Sequence, residues 1–311
     1  RVLEFREEVQ KLGIVGRYSG VRGSEQGFFE RVERDLRRLL QRPELSGARI
    51  TPTSAPSRSS RLDFVLSKKR LRCGVTKHPP LADYQFTDDR FLTFSGYYVD
   101  LARDVGARNG LQIDFVPIQW HEFVNDMFAI PAAHPRAIDL VLSVFETHDR
   151  REYADFTCNF HCVDLCAVVQ TDSPIQSLDD LRNTRLRWAV AEGEAGWEYA
   201  VRELRIDSYD TIVVKHPDIG TALGVLGAGG DVAVVDRLTA DKFIAAHPTA
   251  RIRLLGEQVW QFKNGIMIPR RDPDFEEWVR TEFSASRRTP PLAEAERQML
   301  ADCRGAVKRY A

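Results

Sequence analysis

A chain of 311 residues is long enough to bury more than one core, and 43% apolar against 29% charged residues excludes an intrinsically disordered polymer. Its 44 basic and 45 acidic residues nearly cancel, so no overall field gathers nucleic acid or an anionic membrane surface, and a charged ligand has to be met by a few local groups. No stretch reaches the roughly 18 uninterrupted apolar residues of a membrane-spanning helix.

Val2, Phe5, Val9 and Leu12 recur at spacings of three and four and predict a helix over 2–12. A second helix is expected after Ser24, a suitable N-cap, with Phe29, Val32, Leu36, Leu39 and Leu40 on one face and charge on the other. Residues 43–60, PELSGARITPTSAPSRSS from Pro43 on, read as a linker, which sets residues 1–60 apart as a helical extension. From Leu71 short β-type runs alternate with amphipathic helices, the pattern of a mixed sheet flanked by helices. Strands are expected over 71–75, 113–118, 138–144, 166–170, 186–190, 211–215, 231–236 and 264–269, and helices over 97–110, 121–128, 177–183, 196–204, 218–228 and 237–246.

The five cysteines are odd in number, which argues against a disulfide framework. Cys158, His161, Cys162 and Cys166 lie close together, but no second pair of ligands stands at finger or ribbon spacing. Three of the four fall in the strand-like run HCVDLCAVVQ, where cysteine packs as a small hydrophobe, so no metal is expected.

Four stretches, read in order, resemble the periplasmic amino-acid-binding proteins of solute-binding family 3, the receptors of polar amino-acid ABC importers. They are RLDFVLSKKRLRCGVTKHPPL (61–81), FSGYYVDLARDVGARNGLQIDFVPIQW (94–120), AIDLVLSVFETHDRREYADFT (137–157) and IQSLDDLRNTRLRWAVAEGEAGWEYA (175–200). The resemblance covers residues 61 to about 311 and implies an α/β, two-lobed periplasmic-binding-protein type II fold. It implies one lobe from 61–161 plus 266–311, a second from 162–265, and crossover strands near 157–163 and 262–267. It further implies a periplasmic or extracellular receptor, an ABC permease as partner, and no cofactor or catalytic residue.

Holding a zwitterionic amino acid between lobes takes both its charges out of water, so a cation and an acid must meet them. The position matching the family's carboxylate-binding arginine is Arg150, presented by a turn that opens at Thr147, with Arg151 as its solvated neighbour. A guanidinium fork gives a carboxylate two parallel hydrogen bonds. Asp236 matches the acid that takes the amino group, and the same residue type suits an N-cap for RLTADKFIAA. Trp120 and His78 match the aromatic walls of the side-chain pocket, and Ser143 and Phe145 belong to the same strand end as Arg150.

Phe145 replaces a usual hydroxyl residue, and GEAGW replaces a glycine followed by two hydroxyl residues, which puts Glu194 and Ala195 at a helix start. There the Ala195 amide suits an anion, while Glu194 competes with that anion or binds a basic side chain. A second class, a ligand-sensing module, is favoured by the 60 residues before the first strand, whose helices suit either pairing with a second copy or capping the first lobe. A third, an enzyme resembling cyclohexadienyl dehydratases, is disfavoured because Trp197 stands where those enzymes carry an acid.

Overall fold

The computed structural model describes residues 60–87, 91–119, 128, 132, 137–182, 186–191, 194–202, 213–216, 219–226 and 229–310. The helices expected over 2–12, after Ser24 and over 121–128 lie outside the described residues, apart from position 128. Residues 59–311 form one compact unit.

Helix α1 (Arg61–Lys68) starts at Ser60, whose hydroxyl accepts from Leu62 N. Asp272 anchors that start, taking the Ser60 hydroxyl at 2.7 Å and the Arg61 amide at 2.5 Å. Strand β1 (Arg70–Val75) is flanked in parallel by β4 (Gln112–Pro117) and β5 (Leu140–Phe145). Under its first turn, the fully buried Asp139 receives three hydrogen bonds from Arg72 (backbone N, Nε and Nη2, 2.6–2.9 Å), which makes burying this charge tolerable. A hairpin of β2 (Asp83–Phe86) and β3 (Leu92–Ser95) stands apart as a two-stranded sheet. Helix α2 (Tyr97–Asn109) buries Tyr97, Tyr98, Leu101, Ala102 and Val105 and ends at Gly110 in the left-handed conformation (φ 60°) that glycine adopts without strain.

After β5 come the one-turn helix α3 (His148–Arg151) and the long strand β6 (Ala154–Gln170). Then follow a 3-10 turn at Asp179–Arg182, β7 (Trp188–Ala191), α4 (Ala195–Arg202), β8 (Val213–His216), α5 (Ile219–Gly224), β9 (Val232–Asp236) and α6 (Arg237–Ala246). The chain returns along the second long strand, β10 (Ile252–Pro269), into α7 (Pro273–Arg287), α8 (Pro290–Asp302) and β11 (Val307–Arg309).

The main sheet runs β4-β1-β5-β10-β6-β9-β7-β8, with β11 paired to β6. β6 and β10 are antiparallel from Ile252 opposite Gln170 to Pro269 opposite Ala154, so these two strands belong to both halves of the sheet. The register shifts three times along this pair, Cys158 has positive φ (52°), and a Cβ on Gly265 would lie 2.2 Å from Asn159 Oδ1. Bulges of this kind bend and twist a strand, and here they let one continuous sheet serve two lobes. Alternating residues fill both faces: Ile118, Val141, Val144 and Met267 in the first half, and Val168, Ala189, Ala233 and Val235 in the second.

Each expected strand lies within or overlaps an observed one, and the helices at 97–110, 196–204, 218–228 and 237–246 are present in shorter or equal form. The helix expected over 177–183 is a 3-10 turn, with Asp180 folded back to accept from the Gln176 and Ser177 amides. The runs at 166–170 and 264–269 are ends of strands of 17 and 18 residues. The β2–β3 hairpin and helices α7 and α8 were not anticipated.

All five cysteines are buried free thiols. Cys158 Sγ faces the Val279 carbonyl at 3.7 Å and Cys166 Sγ the Val235 carbonyl at 3.6 Å, while His161 is engaged by Tyr98 and Glu296, so these side chains do not converge on one point. Among the described residues no helix is long and apolar enough to cross a membrane.

Candidate functional site

β1 and β5 run parallel in one half and β7 and β9 in the other. Because the pairings through β10 and β6 are antiparallel, the two pairs run in opposite directions, so that their carboxyl ends face each other near the middle of the sheet and the residues there carry the site. β1 leads to His78, β5 to Phe145, Thr147 and Arg150, β7 to Glu194 and Ala195, and β9 ends in Asp236. All seven are less than one-tenth exposed, as is Ser143 within β5.

In the first half, Thr147 is the N-cap of α3: its hydroxyl accepts from Arg150 N at 3.4 Å and so sets the direction of that residue. Arg150 Nη1 donates to the Phe145 carbonyl at 3.0 Å. Burial pulls the Arg150 guanidinium below its usual range, and the carboxylate of Glu194 is the first of several acids that oppose this. Ser143 adopts a left-handed backbone (φ 57°), which is unusual for a residue with a side chain. Its hydroxyl donates to Asn264 Oδ1 at 3.2 Å and lies 3.4 Å from His78 Nδ1. The Phe145 ring meets His78 edge-on at 4.9 Å, occupying with carbon the place where a hydroxyl would otherwise stand.

In the second half, Asp236 caps α6 through the Thr239 amide at 2.8 Å and also faces across to His78, Oδ1 to Nε2, at 3.5 Å. The capping and ligand-facing roles read from the sequence are therefore compatible in one carboxylate. Burial alone raises the Asp236 carboxyl, but the bond and charge of His78 outweigh it and hold the group below the usual carboxylate range.

Glu194 goes the other way. Burial, then the neighbouring Asp236 charge, push its carboxyl up to about 8, against the pull of Arg150 and the Ala195 amide. The Ala195 amide, expected to meet a ligand carboxylate, is the last of the groups that hold the Glu194 carboxyl down. Among the described residues Glu194 Oε1 has no hydrogen-bond partner.

Two residues not singled out from the sequence join the halves. Glu198 Oε1 accepts from the His148 and Asp149 amides at 2.7 and 3.3 Å, and Lys242 Nζ donates to the Pro79 carbonyl at 2.5 Å. Glu198 had a readable signal, since it lies one helical turn from Glu194 and shares its face. Lys242 had none, because its partner is a backbone oxygen 163 positions away. Trp120 lies outside the described residues. The exposed trio His148, Asp149 and Glu152 sits on α3 and its C-cap, on the same short helix that carries Arg150.

Gly196 determines how close α4 comes to β9: a Cβ there would stand 1.7 Å from the Val234 carbonyl oxygen. Backbone cannot yield as a flexible side chain does, so Gly196→Ala is expected to cost about 3 kcal/mol, the upper part of the overpacking range. Urea denaturation should register this as a lower midpoint at unchanged slope; an unaltered midpoint would mean that α4 shifts freely.

The chain matches the bacterial extracellular solute-binding proteins, family 3, over residues 71–301. No curated protein sequence matches it. Among solved structures, it is similar to a histidine kinase sensor domain with similarity to periplasmic binding proteins (20% identity, TM-score 0.61, covering 74% of this chain and 95% of the other). It is similar also to an ABC uptake transporter substrate-binding protein from Streptococcus pneumoniae with bound histidine (17%, 0.62, covering 78% and 97%). A third is a mutant of ArgBP from T. maritima (20%, 0.60, covering 78% and 99%). At these identities the structural likeness establishes the two-lobed fold.

Proposed function

The chain belongs to the bacterial extracellular solute-binding proteins, family 3, and from that premise we propose that it is a receptor that closes its two lobes on a free amino acid and presents it to an ABC-type importer. The observation that carries this reading is one buried cation in the first half, Arg150, and two buried acids in the second, Asp236 and Glu194, with Glu194 in the field of both of the others. A guanidinium and a carboxylate across a cleft complement the two charges of a zwitterion, and each charge then replaces water with a fixed partner.

In this reading Arg150 takes the solute carboxylate and Asp236 its ammonium, with Thr147 and Ser143 supporting the first lobe's side of the pocket. His78 and Phe145 wall the side-chain pocket together with Trp120. The lobes are 61–161 plus 266–311 and 162–265, and they close by bending at 157–163 and 262–267, a hinge mode known for periplasmic receptors. Contacts such as Glu198 with the α3 amides and Lys242 with the Pro79 carbonyl support a closed form that the solute completes. The site of action is the periplasm or the cell exterior, and no chemical step is assigned to the chain.

A second reading, in which the same domain senses its ligand for a signalling protein, is favoured by the likeness to a histidine kinase sensor domain and by the 60 residues that precede the described unit. It shares the ligand and differs in the partner.

Thermal unfolding of the purified protein against the twenty amino acids at millimolar concentration tests the receptor reading. A solute present at 100 times its dissociation constant stabilises by about 2.7 kcal/mol, which raises the midpoint by about 5–10 °C for a unit of this size. A rise confined to one chemical class is the expected result, and no rise with any α-amino acid would refute it.

A further inference from the structure

Glu194 is 6% exposed, and its Oε1 has no hydrogen-bond partner among the described residues. It lies within the field of a second buried carboxylate, Asp236, which helps to raise its carboxyl, and Gly196 lets α4 pack closely on β9, the strand that ends in Asp236. A buried carboxylate without full pairing is costly. Asp236 has two partners, the Thr239 amide and His78, whereas Glu194 relies on the Ala195 amide and the field of Arg150.

We infer that the solute is a basic amino acid with a second cationic group on its side chain, and that Glu194 receives that group. The inference rests on the receptor reading above and specifies its substrate class. When a zwitterion binds, its carboxylate occupies Arg150 and its ammonium Asp236. Glu194 then loses the compensation of Arg150 and lies beside the incoming carboxylate, which drives its carboxyl further up. A solute with an uncharged side chain leaves Glu194 protonated and without a charge partner in a site closed to water. An ammonium or guanidinium on the side chain lets Glu194 release its proton to solvent and pair as a carboxylate, because two cations and one anion on the solute then meet two anions and one cation on the protein. Burial already holds the Glu194 carboxyl near 8, so the unliganded site is short of positive charge in the way this pairing requires.

Calorimetric titration of the wild-type chain with L-arginine and L-lysine, and with their uncharged counterparts L-citrulline and L-norleucine, tests the assignment. The basic member of each pair should bind more than about tenfold tighter, the least expected for a close buried charge pair. Glu194→Gln, which keeps size and cannot ionise, should bring the ratio near one by weakening the basic members while leaving the uncharged ones in place. Equal affinities in the wild type, or a preference that survives Glu194→Gln, would overturn the inference while the amino-acid receptor stands. No binding by any of the four, nor by the other amino acids, would bring down the receptor reading and this inference with it. The wild-type ratios decide the matter should Glu194→Gln not fold.

Discussion

Arg150→Ala is expected to remove the rise in melting temperature that the proposed amino-acid ligand should produce in the wild type. The guanidinium is buried at the start of α3 and held by the Phe145 carbonyl and the Thr147 cap. Truncating it leaves a ligand carboxylate desolvated and without its bidentate partner. Loss of one member of a buried, hydrogen-bonded charge pair costs about 2–5 kcal/mol, a fall in affinity of about 30-fold or more. Arg150→Lys should recover only part of it, because an ammonium supplies the charge without the planar fork. Calorimetry on both variants measures the two steps separately. A variant lacking Arg150 that binds with wild-type affinity would move the ligand carboxylate elsewhere in the site. Without ligand the same truncation deprives Glu194 of its opposing cation and drives that carboxyl further up.

Glu296→Ala should be the most damaging of these substitutions for stability. Glu296 is 1% exposed and joins four elements: Oε1 lies 3.0 Å from His161 Nε2 on β6 and accepts from Arg287 Nε of α7 at 2.9 Å, while Oε2 accepts from Arg309 of β11 at 2.7 Å. The other His161 nitrogen is 3.2 Å from the Tyr98 hydroxyl, so the network reaches α2. Breaking a buried pair by removing one partner costs about 3–5 kcal/mol, which lowers the melting midpoint by about 6–20 °C for a unit of this size. The pH dependence has a definite sign. Burial by itself would raise the Glu296 carboxyl, yet the bonds from His161 and Arg287 hold it down at about 2. A group depressed in the folded state stabilises above its unfolded value of about 4.3 and loses that contribution as pH falls toward 2. The gap in melting temperature between wild type and Glu296→Gln is therefore expected to be full at pH 7 and to narrow below about pH 4. A gap independent of pH would assign the stabilisation to packing.

Local pattern was enough for the alternation of strands and helices from Leu71 onward, because periodicity is written in adjacent residues. It was also enough for the short polar residues that end β9 and open α3, since Asp236 and Thr147 act as caps on amides three positions away. Arg150 and Asp236 were legible as a possible pair for a zwitterion from the order of four motifs. What remained hidden depends on distance along the chain. The length of β6 and β10 follows from their pairing with each other, in which bulges at Gly265 and Cys158 make the middle read as irregular sequence. The β2–β3 hairpin is short and partly exposed, so it lacks a strong alternation.

The sequence by itself determined the class of fold, the identity of the charged residues at the strand ends, and the departures at Phe145 and Glu194 from the family's pattern. Only the tertiary structure decided that His78 meets Asp236 across the halves, that Glu198 caps α3, and that the Ala195 amide serves Glu194. The physical reason is that a carboxylate's state is set by burial and by charges brought to it from elsewhere. Glu194, Glu198 and Asp236 are the same chemistry in one dimension, and become an acid raised by burial, a helix cap and a held anion when the sheet brings its strand ends together.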